Sequence, residues 1–181
     1  MAETSVWSQK AGSLQQTEPW LRGTLPNVHA VHRATVHALE LAQEDIYKWC
    51  GGLTDEDLNA SPAGLPSIAF HLRHIARSLD RLLTYAEDHP LSADQAAALK
   101  TESAPDASRE ALFEEFASAV ASAARRVLAL EEADLEEDRF VGKKKLPTTL
   151  GGLVVHLADH TQRHVGQAIT TSKVLHALKR A

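Results

Sequence analysis

A single cysteine, aromatic residues at only 5% and a shortage of positive charge set the first limits on this 181-residue chain. Cys50 has no second cysteine to pair with, so no internal disulfide forms, and a reducing cytoplasm is the expected compartment. No apolar run nears the roughly 20 residues that cross a bilayer. The first thirty residues also lack the continuous apolar stretch of a signal peptide, and no membrane partner is expected. With 19 Lys and Arg against 24 Asp and Glu, the net charge is -5. A nucleic-acid surface needs clustered cations, so no nucleic-acid partner is expected either. The one dense basic run, Lys143, Lys144 and Lys145, reads as a solvated loop ahead of the last helix.

What the chain does have is helical material: 44% apolar and 24% charged residues, with abundant Ala, Leu and Glu. The fold class is all-α. The length suits one domain, with a polar, aperiodic N-terminal arm over 1–19 and the folded unit over 20–181. From Leu25 to Trp49 the series Val28, His32, Thr35, Leu39, Ala42, Ile46, Trp49 steps by threes and fours, the signature of one buried helix face. Gly51 and Gly52 end it, and Thr54 caps one short helix. A second long helix spans Pro66 to Asp88 with Ile68, Leu72, Ile75, Leu79, Leu82 and Ala86 inward, and Pro90 closes it. The third starts near Ser108 and carries Leu112, Phe116, Val120, Ala123, Val127 and Leu130. After a loop with Gly142 and Pro147, Thr148 or Thr149 caps a fourth helix that runs to Leu178. Four long helices predict a four-helix bundle. The second and third are joined by about twenty residues, more than an antiparallel hairpin needs, so a crossover leaves those two parallel, with a short helix over Ser92 to Leu99 inside it.

The most informative motif is His156, His160 and His164 at four-residue spacing on the fourth helix. Residues four apart stack one turn above each other, so neighbouring imidazoles can converge on one ion. Taking about 100° per residue, Leu153, Leu157, His160, His164, Thr171, Leu175 and Leu178 share the core stripe, while His156 falls about 60° to one side. His160 and His164 are the stronger pair, and His156 flanks them. One buried imidazole is usually a hydrogen-bonded core residue, which is the expectation for His32. Two stacked ones are costly without a shared ion. His156 and His164 are about 12 Å apart along the axis, so the third ligand comes from another helix. The second helix offers His71, nearer its apolar stripe, and His74 at the margin; periodicity does not choose His74.

Ala-Phe-His-Leu-Arg-His-Ile-Ala at 69–76 and His-Thr-Gln-Arg-His-Val-Gly-Gln at 160–167, set on four long helices in this order, resemble the DinB superfamily of metal-binding four-helix bundles, which includes the YfiT-like proteins and several thiol-dependent transferases. The resemblance covers Trp20 to the C-terminus. It implies an up-down-down-up bundle, a metal held by His74, His160 and His164, and frequent dimers. It selects His74 over His71, which remains a candidate to support the ligands; His156 beside the stripe and Gln167 near it are further candidates by position, with an ordinary interior amide as the alternative for Gln167. Many of its members that act as enzymes use a thiol cofactor, but nothing in this sequence identifies a thiol pocket.

Three neutral histidines leave coordination positions for water or a small-molecule substrate. A divalent ion there lowers the pKa of a bound water or thiol. Imidazole suits Zn, Ni, Fe and Cu; Zn or Ni are the first choices, with Fe and Mn behind them. His160 is followed by Thr161 rather than the Glu a zincin needs, so hydrolysis by that route is not expected. Asp159 points away and pairs with Arg163. Cys50, at a helix C-terminus, reads as inert. Arg73, Arg77 and Arg81 repeat every four residues and read as an exposed face, with contact to an anionic ligand as the alternative. Val154, Val165 and Ile169 form a second apolar strip on the fourth helix, fitting a homodimer interface or deeper burial in one bundle. The expected function is metal-dependent transfer of a low-molecular-weight thiol. The alternative is a non-catalytic, stress-associated metal- or small-ligand-binding protein.

Overall fold

Each long helix begins where a side chain satisfies backbone N–H groups that have no partner within the helix. The computed structural model describes residues 17–105 and 107–180, so most of the expected arm over 1–19 lies outside the described residues. Helix α1 is Ala30–Cys50, α2 Asp55–Asn59, α3 Ile68–Ala86, α4 Ala93–Ala98, α5 Arg109–Ala129 and α6 Leu150–Leu178. Ser67 accepts from the Phe70 N–H at 3.1 Å to open α3, and Ser108 accepts from the Ala111 N–H at 3.2 Å to open α5. At α6 the cap is Thr149, whose hydroxyl accepts from the Gly152 N–H at 3.1 Å. Helix α1 starts five residues after the expected Leu25. Leu25 sits at φ 56, and the proline that follows it disfavours helical backbone at the preceding residue.

The four long helices pack in pairs: α1 against α5 and α6, and α3 against α5 and α6. Thr35 Oγ1 donates to the Val154 carbonyl at 3.1 Å, and Ser172 Oγ to that of Trp49 at 2.8 Å, so partners advance together along α1 and α6. Arg77 with Glu115 and Arg126 with Glu87 also advance together along α3 and α5. Between α3 and α6 the order reverses: Thr171 bonds the Pro66 carbonyl at 3.1 Å, while His160 meets His74. Leu39, Ile46, Leu72, Ile75, Leu79, Leu112, Phe116 and Leu157 are fully enclosed, as the helical spacing predicts.

Two residues of the expected stripes are corrected. Trp49 is 37% exposed and Leu178 is 58% exposed. Helix α6 has 29 residues against 19 in α3, about 43 Å against about 28 Å, so its last turns run past the partner that would cover them. Val154 and Val165, candidates for a subunit interface, are buried within this one chain, and Ile169 packs against the same core. That strip supplies no argument for a second copy.

The chain is mostly helical but not purely so. In place of the expected loop, Asp138–Val141 (β1) and Leu146–Thr149 (β2) pair antiparallel, with Phe140 opposite Pro147. Four-residue strands are too short for alternation to declare itself in the sequence. Gly142 at φ 72 permits the turn, and the three-lysine run forms its exposed tip. Proline is tolerated because a two-stranded sheet has only edges. Arg139 of β1 is buried and donates from Nε to the Ala86 carbonyl at 2.7 Å, tying the hairpin to the end of α3. Among the described residues, no helix is long and apolar enough to cross a membrane.

Phe116 of α5 is a fully enclosed aromatic side chain of the core. Phe116→Ala should lower the unfolding free energy by about 3–5 kcal/mol, measured by urea denaturation, the usual cost of removing an enclosed aromatic ring.

Candidate metal centre

Antiparallel packing of α3 on α6 brings the margin of one helix against the core stripe of the other, and that seam is filled with imidazoles. One ring nitrogen from each of His74, His160 and His164 lies within 4.8 Å of the other two. His74 Nε2 is 3.0 Å from His160 Nε2, and the His164 ring centroid is 4.3 Å from that of His74 and 4.7 Å from that of His160. The spacing of four on α6 sets the last of these distances; the register of α3 sets the others.

The surrounding candidates separate into three environments. His71 is buried, with Nδ1 3.1 Å from His164 Nδ1, and its Nε2 has no hydrogen-bond partner among the described residues. One proton can lie between those two Nδ1 atoms, so the two rings constrain each other's tautomers. His156 is exposed, its ring centroid 5.4 Å from that of His160 and its Nδ1 3.6 Å from Asp159. Gln167, expected to support a ligand, is exposed, because the inward position on that turn belongs to Ala168. The amide that does turn inward is Gln162, donating to the Ala38 carbonyl at 2.7 Å.

Glu102 is the residue that sequence reasoning misses. It lies on the connection between α3 and α5 and is only 6% exposed. One carboxylate oxygen is 2.7 Å from His74 Nδ1, and the other accepts from Arg81 at 2.8 Å. A loop residue belongs to no helical stripe, so periodicity cannot find it. The available hint is Arg81, a charged residue facing something other than water. The arginine series is thus corrected: Arg81 is buried on Glu102, Arg73 bonds the Ala104 carbonyl, and Arg77 bonds the Ala98 carbonyl, Thr101 and Glu115. The connection lies over that face of α3 and takes up these guanidinium groups, so it is not the plain solvent-exposed face expected.

Burial, followed by the charge of neighbouring rings, pushes the pKa of His71, His160 and His164 down to about 4. Near neutral pH these rings are uncharged and each keeps a lone pair. Neutral nitrogen donors at this separation, in a seam closed to most of the solvent, fit a divalent ion of the imidazole-preferring kind. Elsewhere, burial pushes the Cys50 thiol up to about 12, so its thiolate is not formed and the inert reading agrees with its position. His32 is fully buried, but among the described residues neither ring nitrogen meets the hydrogen-bond partner expected for it, and burial lowers its pKa. Asp159 and Arg163 pair at 2.8 Å on the surface.

The family model of the DinB superfamily matches residues 38–168, a span that holds all three histidines and Glu102. The crystal structure of a conserved protein from Enterococcus faecalis is similar at a TM-score of 0.65, with 22% identity, over 80% of this chain and 96% of that one. That likeness concerns the fold. No curated protein matches the chain.

The lowered pKa values give a sign to the acid response of the metal-free protein. A histidine at about 4 in the folded chain and near its ordinary value when unfolded binds protons preferentially in the unfolded state. Its stabilising contribution is whole above about 6.5 and is lost as the pH falls through about 4. Urea titrations at about pH 7 and about pH 4.5 should show a larger loss for wild type than for His160→Asn combined with His164→Asn. Equal losses would mean that the rings titrate freely.

Proposed function

The chain belongs to the DinB superfamily, and we propose that within it the protein is an up-down-down-up four-helix bundle that binds one divalent ion and uses it to transfer a low-molecular-weight thiol to an electrophile. The observation that carries the metal reading is the convergence of His74, His160 and His164, three nitrogen donors from two helices. The bundle topology is supported by the paired contacts, in which α1 and α6 run together, α3 and α5 run together, and α3 opposes α6. Zn or Ni are the first candidates for the ion, because the donors are all imidazole. When bound, such an ion supplies Lewis-acid chemistry, lowering the pKa of a thiol or water placed on an open position.

The chain's own residues do the rest. Burial, with His164 and His74 beside His160 and with His74 and Arg163 beside His164, keeps both rings neutral, so they present lone pairs without first shedding protons. Phe70 stacks on His74 with ring centroids 5.4 Å apart and lies edge-on to His71, closing one flank of the seam with apolar surface. His160 is followed by Thr161, where a zincin would place its glutamate base, so the reading is transfer rather than hydrolysis. The choice of a thiol as the transferred group rests on the family alone.

One observation favours a second, non-catalytic reading. The histidine seam joins α3 to α6, and His74 is bonded through Glu102 to the α3–α5 connection, so an ion at this place would cross-link three separate segments. Binding to the folded state alone stabilises it by mass action, which is all that a structural ion needs to do.

The two readings part on one set of measurements. Untagged protein should carry or take up one divalent ion per chain. His160→Ala should weaken that binding by more than roughly a hundredfold, beyond the effect of losing an outer partner. Metal-dependent consumption of a thiol in the presence of an electrophile, abolished by chelation, supports the transferase. A large drop in melting temperature on chelation, with no thiol consumed, supports the structural ion. Failure of the wild-type chain to bind any divalent ion sinks both.

A further inference from the structure

Glu102 divides its two oxygens between two donors of different kinds. Arg81 Nη1 is 2.8 Å from Oε1, and His74 Nδ1 is 2.7 Å from Oε2. A guanidinium has only donors, so the oxygen facing Arg81 is committed to accepting. A carboxylate likewise only accepts, so the proton between Oε2 and His74 sits on the ring at Nδ1. A neutral imidazole carries one N–H. With that hydrogen on Nδ1, Nε2 has a free lone pair, and Nε2 is the atom that lies 3.0 Å from His160 Nε2.

We propose that Glu102, anchored by Arg81, is a positioning residue that fixes the His74 tautomer and so turns its Nε2 into a metal-binding atom. This rests on the metal-binding reading but can be tested apart from it. The carboxylate never reaches the ion; it acts through the ring. It also sits on the connection between α3 and α5, so the segment that roofs the arginine face of α3 also prepares a ligand on the same helix.

The arrangement makes an isosteric replacement informative. Glutamine has one acceptor and one donor group where glutamate has two acceptors. In Glu102→Gln, the amide oxygen must face Arg81, because an NH2 there would meet a second donor. The NH2 is then left facing His74 Nδ1, which must accept. The ring proton moves to Nε2 and points into the site where the ion would sit. Removing the donor as well, in Glu102→Gln combined with Arg81→Met, frees the amide to turn its oxygen toward His74 and restores the original tautomer.

The test uses the full chain. Zn(II) affinity is measured by competition with a chromogenic chelator, and the histidine tautomers of the metal-free protein are read from side-chain nitrogen-15 NMR. The expected results are His74 protonated at Nδ1 in wild type, a switch to Nε2 in Glu102→Gln with Zn(II) binding weakened about 10- to 100-fold, and recovery of both in the double variant. A purely structural role for Glu102 would not move the tautomer, and would make the double variant worse rather than better. Wild-type His74 protonated at Nε2 overturns the proposal without any variant, as does wild-type Zn(II) affinity in Glu102→Gln. If wild type binds no Zn(II), the metal reading fails, and the tautomer measurements still decide what Glu102 does.

Discussion

Four imidazoles, those of His71, His74, His160 and His164, occupy one seam between two helices, and the constraint they impose is electrostatic. Burial makes a charge on His71, His160 or His164 costly, and a charge on one makes the next costlier still. Uncharged rings have one donor and one acceptor nitrogen each, so every close contact needs a proton on one side and a lone pair on the other. His71 and His164 meet that condition through their Nδ1 atoms, and His74 meets it at Nδ1 through Glu102. The pair of Nε2 atoms on His74 and His160 is the contact that asks for either a shared proton or a shared cation.

Much else in the fold follows from keeping that seam in register. The antiparallel order of α3 and α6 is what allows a spacing of four on one helix to meet a single ring from the other. Thr171 on the Pro66 carbonyl fixes one end of the contact. The cap at Ser67 sets where α3 begins, and with it the height of Phe70 and His74 along the seam. Large enclosed side chains such as Leu72, Ile75 and Leu157 flank the histidines on their own helices, so the polar cluster is bounded by apolar packing on its core side. A ring buried in this way loses its hydration and must recover partners from the protein. Among the described residues the Nε2 of His71 recovers none.

What can be read in the sequence divides along the same physical lines. The long helices, their inward faces and the pairing of His160 with His164 are periodic properties, written into every third and fourth residue. The choice of His74 over His71 is not periodic. On the wheel His71 is the more central, and the structure does bury it more deeply; His74 reaches the site because a residue at the stripe margin of α3 faces the neighbouring helix across the seam, a matter of register between helices. Gln167 fails for the complementary reason: proximity to the stripe does not make a side chain point inward when its neighbour Ala168 takes the place. The hairpin over Asp138–Thr149 is hidden because strands of four residues have too few alternations to be distinguished from a loop. Glu102 is beyond reach, since its burial depends on how a non-periodic connection drapes over α3.

That drape also explains why the connection is long. Helices α3 and α5 run in the same direction, so the chain must return along the length of α3, about 28 Å, before α5 can begin. A return path of this length exposes polar backbone along a helix face, and those groups need donors. Arginine suits the task, because its guanidinium offers several N–H groups at once and its aliphatic stem packs against the helix below. Arg77 reaches the Ala98 carbonyl at 2.9 Å and the Thr101 hydroxyl at 2.8 Å, Arg73 the Ala104 carbonyl, and Arg81 the Glu102 carboxylate. Three arginines one turn apart thus hold the returning chain between Ala98 and Ala104. The spacing of four that marks a solvent face in an isolated helix is here the pitch at which a helix grips a length of chain laid along it, and the grip of Arg81 is the one that delivers a carboxylate to His74.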